Sequence, residues 1–242
     1  PADTGRLDVE AGAFRLRGWP AIVADGALLA PTAARLPGSV GKAPGADPQG
    51  VEPQAAVRSR PEQPLTVHYR FGDRAELTLA LSADAGVRLE ARLANLGQTA
   101  LVLGRVDLLR TGPGAPACRL GSSPAAVASL EQGNYWGRVR PLEADPETCR
   151  TSDLVWVAYD RQRREALLVG WLGSQRWLGQ IRLEQPGRPE AAAVGLGFDG
   201  GDLIVDPQAE VELEPLLLSA GPDPWALLEE YAAAVACRWS PQ

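Results

Sequence analysis

The sequence predicts an all-β protein: a large, many-stranded antiparallel β-sandwich with one C-terminal linker helix. Three observations carry that prediction. Short runs alternate apolar and polar residues with a period of two, as half-buried strands do. Turn residues separate the runs at regular spacing, and 26 glycines with 21 prolines make 47 of the 242 residues, above the usual share of about 12%. An apolar stripe of helical period comes last, after the strands.

The elements follow in order. Short strands are expected near Leu7–Val9, Phe14–Arg17, Ile22–Val23 and Leu28–Leu29. Residues 37–64 then hold six prolines (Pro37, Pro44, Pro48, Pro53, Pro61, Pro64) and four glycines. No strand survives that density, so a long loop is expected. Leu65, Val67, Tyr69 and Phe71 share one face of a strand, with Thr66, His68 and Arg70 on the other. The turn Gly72-Asp73-Arg74 leads to Leu77, Leu79 and Leu81, and a second turn to Val87, Leu89, Ala91 and Leu93. Leu101 to Leu109 continues this antiparallel meander, which has one dry and one wet face. Residues 111–153 lack clear periodicity and read as a second long irregular region. Leu154–Tyr159 and Ala166–Leu172 flank the polar turn Asp160–Arg164 as a hairpin. Both are apolar on both faces, so they belong at the centre of a sheet, covered on two sides. Gln180–Glu184, Ala192–Phe198, Leu203–Val205 and Val211–Leu218 add the remaining strands.

At the C-terminus Asp223 suits a helix cap and Pro224 the first helical position. Trp225, Leu228, Ala232, Val235 and Trp239 recur at spacings of 3, 4, 3 and 4, which predicts that they form the buried stripe. The expected division is a sandwich over 1–220 and a helix over 221–242. The chain contains no methionine. With a solitary helix at its end, it is expected to be the first module of a longer protein, with the helix leading to a catalytic barrel missing here.

Composition excludes several functions. The formal net charge is −6, the opposite of a nucleic-acid-binding footprint. Lys42 is the one lysine among 24 basic residues, which reads as base-composition bias rather than as a binding site. No apolar run approaches the roughly 18 residues of a membrane span, so no membrane partner is expected. No signal peptide is visible, and a cytoplasmic location is expected. Cys118, Cys149 and Cys237 are far apart. They fit buried free thiols of a reducing compartment, with a Cys118–Cys149 bridge as the alternative.

Catalytic and metal signals are sparse. His68 is the one histidine, so a multi-histidine metal site and a serine triad have little to rest on. No glycine-rich phosphate loop or dinucleotide fingerprint occurs, and no cofactor is expected. Asp199, Asp202 and Asp206 cluster, but Asp199-Gly200-Gly201-Asp202 reads more simply as a hairpin turn. Glu131, Glu143, Asp145, Glu147 and Asp153 fall in the irregular region, where ordinary solvation is expected. Trp156, Trp171 and Trp225 lie in apolar elements and read as core, whereas Trp19 and Trp177 are ambiguous. Asn134, Tyr135, Trp136 and Arg138 are the candidate carbohydrate-binding residues. Aromatic faces stack on sugar rings while amide and guanidinium groups bond hydroxyls. The simpler alternative is a loop pinned to the sheet by its aromatics.

Four stretches resemble one family. Val87 to Asn95 followed by Leu101 to Leu109, the loop Gly133 to Gly137, the strand Ala166 to Leu172, and the passage from Val205 through Leu218 into Asp223–Ala236 are similar to the N-terminal β-sandwich of the α-galactosidase and raffinose-synthase group, glycoside hydrolase family 36 and relatives. The likeness begins near residue 65 and covers most of the chain from there. The Pro/Gly stretch at 37–64 and the loop aromatics depart from the family pattern. The resemblance implies a galactose-mutarotase-like supersandwich that leads into a (β/α)8 barrel carrying the catalytic carboxylates. It implies a non-catalytic role for this chain: supporting that barrel, helping a homo-oligomer form, and meeting a galactoside ligand at one wall of a pocket. No catalytic residue carries over. The other readings are a self-contained carbohydrate-binding module and a complete sugar epimerase or lyase, which would need a carboxylate–arginine or histidine pocket.

Overall fold

The structure is a computed structural model that describes residues 6–35, 64–83, 86–115, 117–133, 136–144 and 148–239. The loop expected over 37–64 lies outside the described residues except for Pro64. Among the described residues the first strands are β1 (Leu7–Ala11), β2 (Phe14–Ala24), β3 (Ala27–Leu29) and β4 (Ala33–Arg35). The alternating meander forms β5 (Leu65–Phe71), β6 (Ala75–Ala83), β7 (Val87–Asn95) and β8 (Leu101–Thr111). Four strands follow: β9 (Cys118–Leu120), β10 (Val127–Gly133), β11 (Trp136–Pro141) and β12 (Arg150–Asp153). The hairpin β13 (Val155–Asp160) and β14 (Glu165–Trp171) comes next, then β15 (Gly179–Glu184) and β16 (Ala193–Val205). The short β17 (Glu210–Glu212), β18 (Leu216–Gly221) and the helix α1 (Pro224–Trp239) are the last elements among the described residues.

These strands make two antiparallel sheets. Sheet A orders β1-β2-β8-β16-β15-β12, with β3 and β9 also paired to β2. Sheet B orders β11-β10-β13-β14-β18-β7-β6-β5-β4, with β17 on β7. Period-two alternation turns one face of each sheet inward. Phe14, Leu16, Ile22, Leu103, Val106, Leu196 and Phe198 of sheet A meet Tyr69, Leu77, Leu79, Leu93, Trp156, Val169 and Trp171 of sheet B in one core cluster. The sandwich with a C-terminal helix is therefore as expected.

Polar ties close the seam between the sheets. Asn95, 2% exposed, ends β7 and donates to the carbonyls of Thr99, Val205 and Asp206, while its side-chain oxygen accepts from the Gly97 N–H. Glu165 at the start of β14 accepts from the Ala13 N–H at 2.6 Å, in the β1–β2 hairpin of the other sheet. Gly12 in that hairpin has φ +55, and a Cβ there would stand 2.3 Å from the Glu165 carboxylate. Only glycine fits both demands.

The structure corrects the sequence reading in several places. β2 runs unbroken through Pro20, because the ladder shifts register between Trp19 and Ala21 and needs no N–H there. Residues 111–153 are not one irregular region but hold four strands, β9 to β12. Asp199–Asp202 is not a hairpin turn. It is an irregularity inside β16, where Gly201 and Asp202 take positive φ and the register with β8 shifts. Val211–Leu218 breaks into β17 and β18 ahead of Leu216, beside Pro215, which has no N–H to pair. The three cysteines are free. Cys118 is buried, and burial pushes its thiol up to about 12, but Cys149 and Cys237 are exposed.

β13 and β14 are covered on both sides, as their composition requires, and α1 supplies the outer cover. Asp223 caps the helix by accepting from the Trp225 N–H at 2.9 Å. Its docked face is Leu227, Leu228 and Tyr231, packed on Val155, Val157, Ala166 and Leu168. Tyr231 lies over Gly170, where a Cβ would stand 2.4 Å from its ring, and donates its hydroxyl to the Trp171 carbonyl at 2.7 Å. Burial pushes that hydroxyl up to about 12. Seating Tyr231 rolls the helix by somewhat less than one residue step of about 100° from the expected stripe. Trp225 is consequently not core but 68% exposed, and Trp239 is 41% exposed.

Asp160 sets up an acid-sensitive turn at the β13–β14 hairpin. Burial works against its ionisation, but hydrogen bonds from Ser122 and from the N–H groups of Arg163 and Gln162 outweigh it and hold the carboxyl below its ordinary value. The unfolded chain therefore takes up this proton first, and stability falls as pH drops through the folded pKa. Asp160→Asn is expected to flatten the acid limb of a urea-midpoint curve below about pH 4. An acid limb as steep as the parent's would contradict this.

Candidate functional site

Of the four candidate carbohydrate-binding residues, Asn134 and Tyr135 lie outside the described residues. Trp136 and Arg138 stand on β11, the edge strand of sheet B. Register places Gly133 opposite Trp136, Glu131 opposite Arg138 and Ser129 opposite Arg140. Trp136 and Arg138 therefore share one face, and the Arg138 guanidinium lies over the Trp136 ring, 5.7 Å from its centroid. The indole rests against Gly133, where a Cβ would come within 2.5 Å of it. Trp136 remains 50% exposed. Beside it opens a depression of about 450 Å³ lined by Leu130, Gln132, Gly137, Val155 and Leu228 of α1.

Behind this platform sits a buried charge cluster that sequence reasoning missed. Glu131 is not solvated but has 0% exposure. One carboxylate oxygen accepts from Arg140 Nε at 2.8 Å. The other accepts from Arg150 Nη1 at 3.2 Å and from the Ser129 hydroxyl at 3.1 Å. Ser129 in turn accepts from Trp156 Nε1 at 2.8 Å. Arg150 also donates to the Pro141 and Leu142 carbonyls. No pattern signalled this. Val127, Ser129, Glu131 and Gly133 turn inward while Ala128, Leu130 and Gln132 turn outward, which inverts the expected polarity. The cluster spans both sheets, since β10 and β11 belong to sheet B and β12 to sheet A. Its carboxylate is wholly enclosed by donors, so it holds strands in place and presents nothing to a substrate.

The remaining candidates separate in space. His68 Nδ1 lies 3.1 Å from the Thr78 hydroxyl and 3.5 Å from Glu76, on a part-exposed strand face. Asp199 accepts from the Gly201 N–H at 3.0 Å and so caps its own irregularity. Glu143 is exposed, Asp153 is half-buried, and Asp145 and Glu147 lie outside the described residues. Among the described residues no three metal-ligating side chains converge. Trp177 stacks on Phe198 at 6.0 Å, and Phe198 meets Trp171 edge-on at 5.5 Å, so Trp177 lines the core. Trp19 is 39% exposed, with the Arg6 guanidinium 5.1 Å from its ring centroid.

No protein-family model matches this chain. No curated protein sequence matches it either. Solved structures do match. An α-galactosidase from Lactobacillus brevis is similar over 97% of this chain and 32% of its own, at 18% identity and a TM-score of 0.53. A glycoside hydrolase family 97 enzyme from Pseudoalteromonas sp. strain K8, solved with acarbose, is similar over 90% of this chain and 34% of its own, at 8% identity and a TM-score of 0.48. The first likeness establishes the fold, and this chain spans about a third of the length of either.

Glu131→Gln leaves the enclosed Arg150 guanidinium and the part-exposed Arg140 without their counter-ion. Loss of one partner from a buried pair costs about 3–5 kcal/mol. A loss of about that size is expected in urea unfolding, and a loss under about 1 kcal/mol would show that the cluster acts like a surface pair.

Proposed function

We propose that this chain is a non-catalytic accessory sandwich of a glycoside hydrolase acting on α-galactosides or related sugars, and that it supports the enzyme's catalytic barrel and oligomer. The observation that carries the proposal is the fold likeness: 97% of this chain falls within 32% of a solved α-galactosidase chain. The surface agrees with a supporting role. Trp225 stands exposed on α1 one turn before Leu228, which lines the depression with Trp136, and Trp239 stands exposed at the far end of the helix. Exposed aromatic side chains at both ends of one helix suit burial against another domain. On this reading the reacting carboxylates belong to the barrel. Within this chain Glu131 is enclosed, and the carboxylate beside His68 is a part-exposed surface partner rather than a buried one.

A second reading, sugar binding by the sandwich itself, rests on the half-exposed Trp136 with Arg138 beside a depression of about 450 Å³. Ligand pockets of about 300–1,000 Å³ are usual. Calorimetry with galactose and raffinose separates the two readings. Binding that disappears in Trp136→Ala supports sugar recognition, and no heat from either protein supports the accessory role alone.

The accessory reading predicts no turnover of a chromogenic α-galactoside by this chain, and clear turnover would sink it. It also predicts that the chain binds a hydrophobic dye through α1. A Trp225→Ser, Trp239→Ser double variant should lose most of that signal while its urea midpoint stays within about 0.5 kcal/mol of the parent.

A further inference from the structure

The outer face of sheet A carries a charge cluster that neither reading uses. Strand register builds it. Arg110 on β8 stands opposite Gly195 on β16, and Gly195 stands opposite Arg182 on β15. Adjacent strands lie about 4.8 Å apart, so two arginines flank a residue that has no side chain. Arg105, also on β8, reaches over the same glycine. A Cβ at Gly195 would stand 2.9 Å from Arg105 Nη2 and 3.9 Å from the Cβ of Arg182.

The guanidinium groups of Arg105 and Arg182 are thus drawn together beside Gly195, and Arg110 stands in register across the same strand. Asp107 is the carboxylate that pairs with Arg105 and Arg182. It is 1% exposed and accepts from Arg105 Nε at 2.8 Å, with Arg182 Nη2 at 3.8 Å. Gly197 gives it room, since a Cβ there would stand 2.4 Å from its oxygen. The charges of Arg110 and Glu184 are also felt at Asp107. Nε and Nη2 of Arg182 are enclosed with no hydrogen-bond partner among the described residues. Arg105 and Arg182 keep 19% and 20% of their side chains exposed, so both reach solvent.

Converging like charges repel unless a counter-charge answers each of them. Here three cations face two carboxylates, in a chain whose formal net charge is −6. Arginine forks match the oxygens of tetrahedral oxyanions, and Asp107 already fixes one fork in place. We propose that Arg105, Arg110 and Arg182 form a binding site for a phosphate group, free or carried on a sugar. Asp107 acts as the built-in counter-ion that orients Arg105 and competes with the ligand. The site lies on the opposite sheet from Trp136, so it stands independently of the accessory and sugar-binding readings.

Calorimetry with inorganic phosphate, glucose 6-phosphate and glucose tests the proposal. Both phosphates should bind with dissociation constants of about 1 mM or tighter, and glucose should give no heat. A sugar phosphate bound about tenfold tighter than free phosphate identifies the sugar-borne form, and equal affinity identifies phosphate itself. Arg182→Gln should weaken phosphate about tenfold, and Asp107→Asn should tighten it by removing the competing carboxylate. Trp136→Ala should leave it unchanged. Unfolding midpoints of each variant confirm that the fold is retained. The proposal is overturned if the parent gives no heat with phosphate, or if neither Arg182→Gln nor Asp107→Asn alters the affinity in a folded protein.

Discussion

A carboxylate with no exposed surface has to be answered by donors, and at Glu131 the donors come from three strands. That requirement organises one end of the molecule. Arg140 fixes β11 onto β10, and Arg150 brings β12, the edge of sheet A, against the inner side of sheet B. Ser129 links the carboxylate to Trp156, so the charge cluster is bonded to the centre of the core. The Trp136–Arg138 platform rides on the same hairpin, two residues beyond the bonded arginine. Buried ion pairs are weak sources of net stability but severe constraints on geometry. This one fixes how the hairpin and the sheet edge meet.

The helix follows from a different constraint. β13 and β14 are apolar on both faces, and only one face can point into the sandwich. The other needs a cover, which Leu227, Leu228 and Tyr231 supply. Gly170 decides the angle, because the Tyr231 ring occupies the space a side chain would take. The consequence appears at the surface. Once Tyr231 is seated, Trp225 and Trp239 stay in solvent at the two ends of the helix, and the supporting role proposed for the chain draws on that exposure.

The two outer faces consequently differ in kind. Sheet B has a helix, an apolar depression and exposed aromatics. Sheet A has cross-strand rows of arginines set against glycines, with a buried aspartate between them. Antiparallel sheets that face water on one side are free to carry such polar rows. The row through Arg110, Gly195 and Arg182 exists because β8, β16 and β15 are neighbours in the sheet, although 110 and 195 are far apart in the chain.

Much of the fold was legible in the residues. Strict alternation located β5 to β8, the two-sided apolar runs located the β13–β14 hairpin, and Asp223-Pro224 located the start of the helix. Local patterns suffice there because a half-buried strand, a covered strand and a helix cap each have a local physical cause. The strands over 118–153 were not legible. β10 turns Ser129, Glu131 and Gly133 inward while Leu130 faces out and is half-buried, an inversion that makes sense only once Arg140, Arg150 and Trp156 are in place. Of the candidate site, the sequence singled out Trp136 and Arg138 by residue type, and pairing across the hairpin stacked them. Glu131 as a buried tie, the roll of α1 that leaves Trp225 exposed, and the convergence of Arg105, Arg110 and Arg182 were decided by tertiary structure alone. Each depends on which distant strands become neighbours, and no local periodicity encodes that.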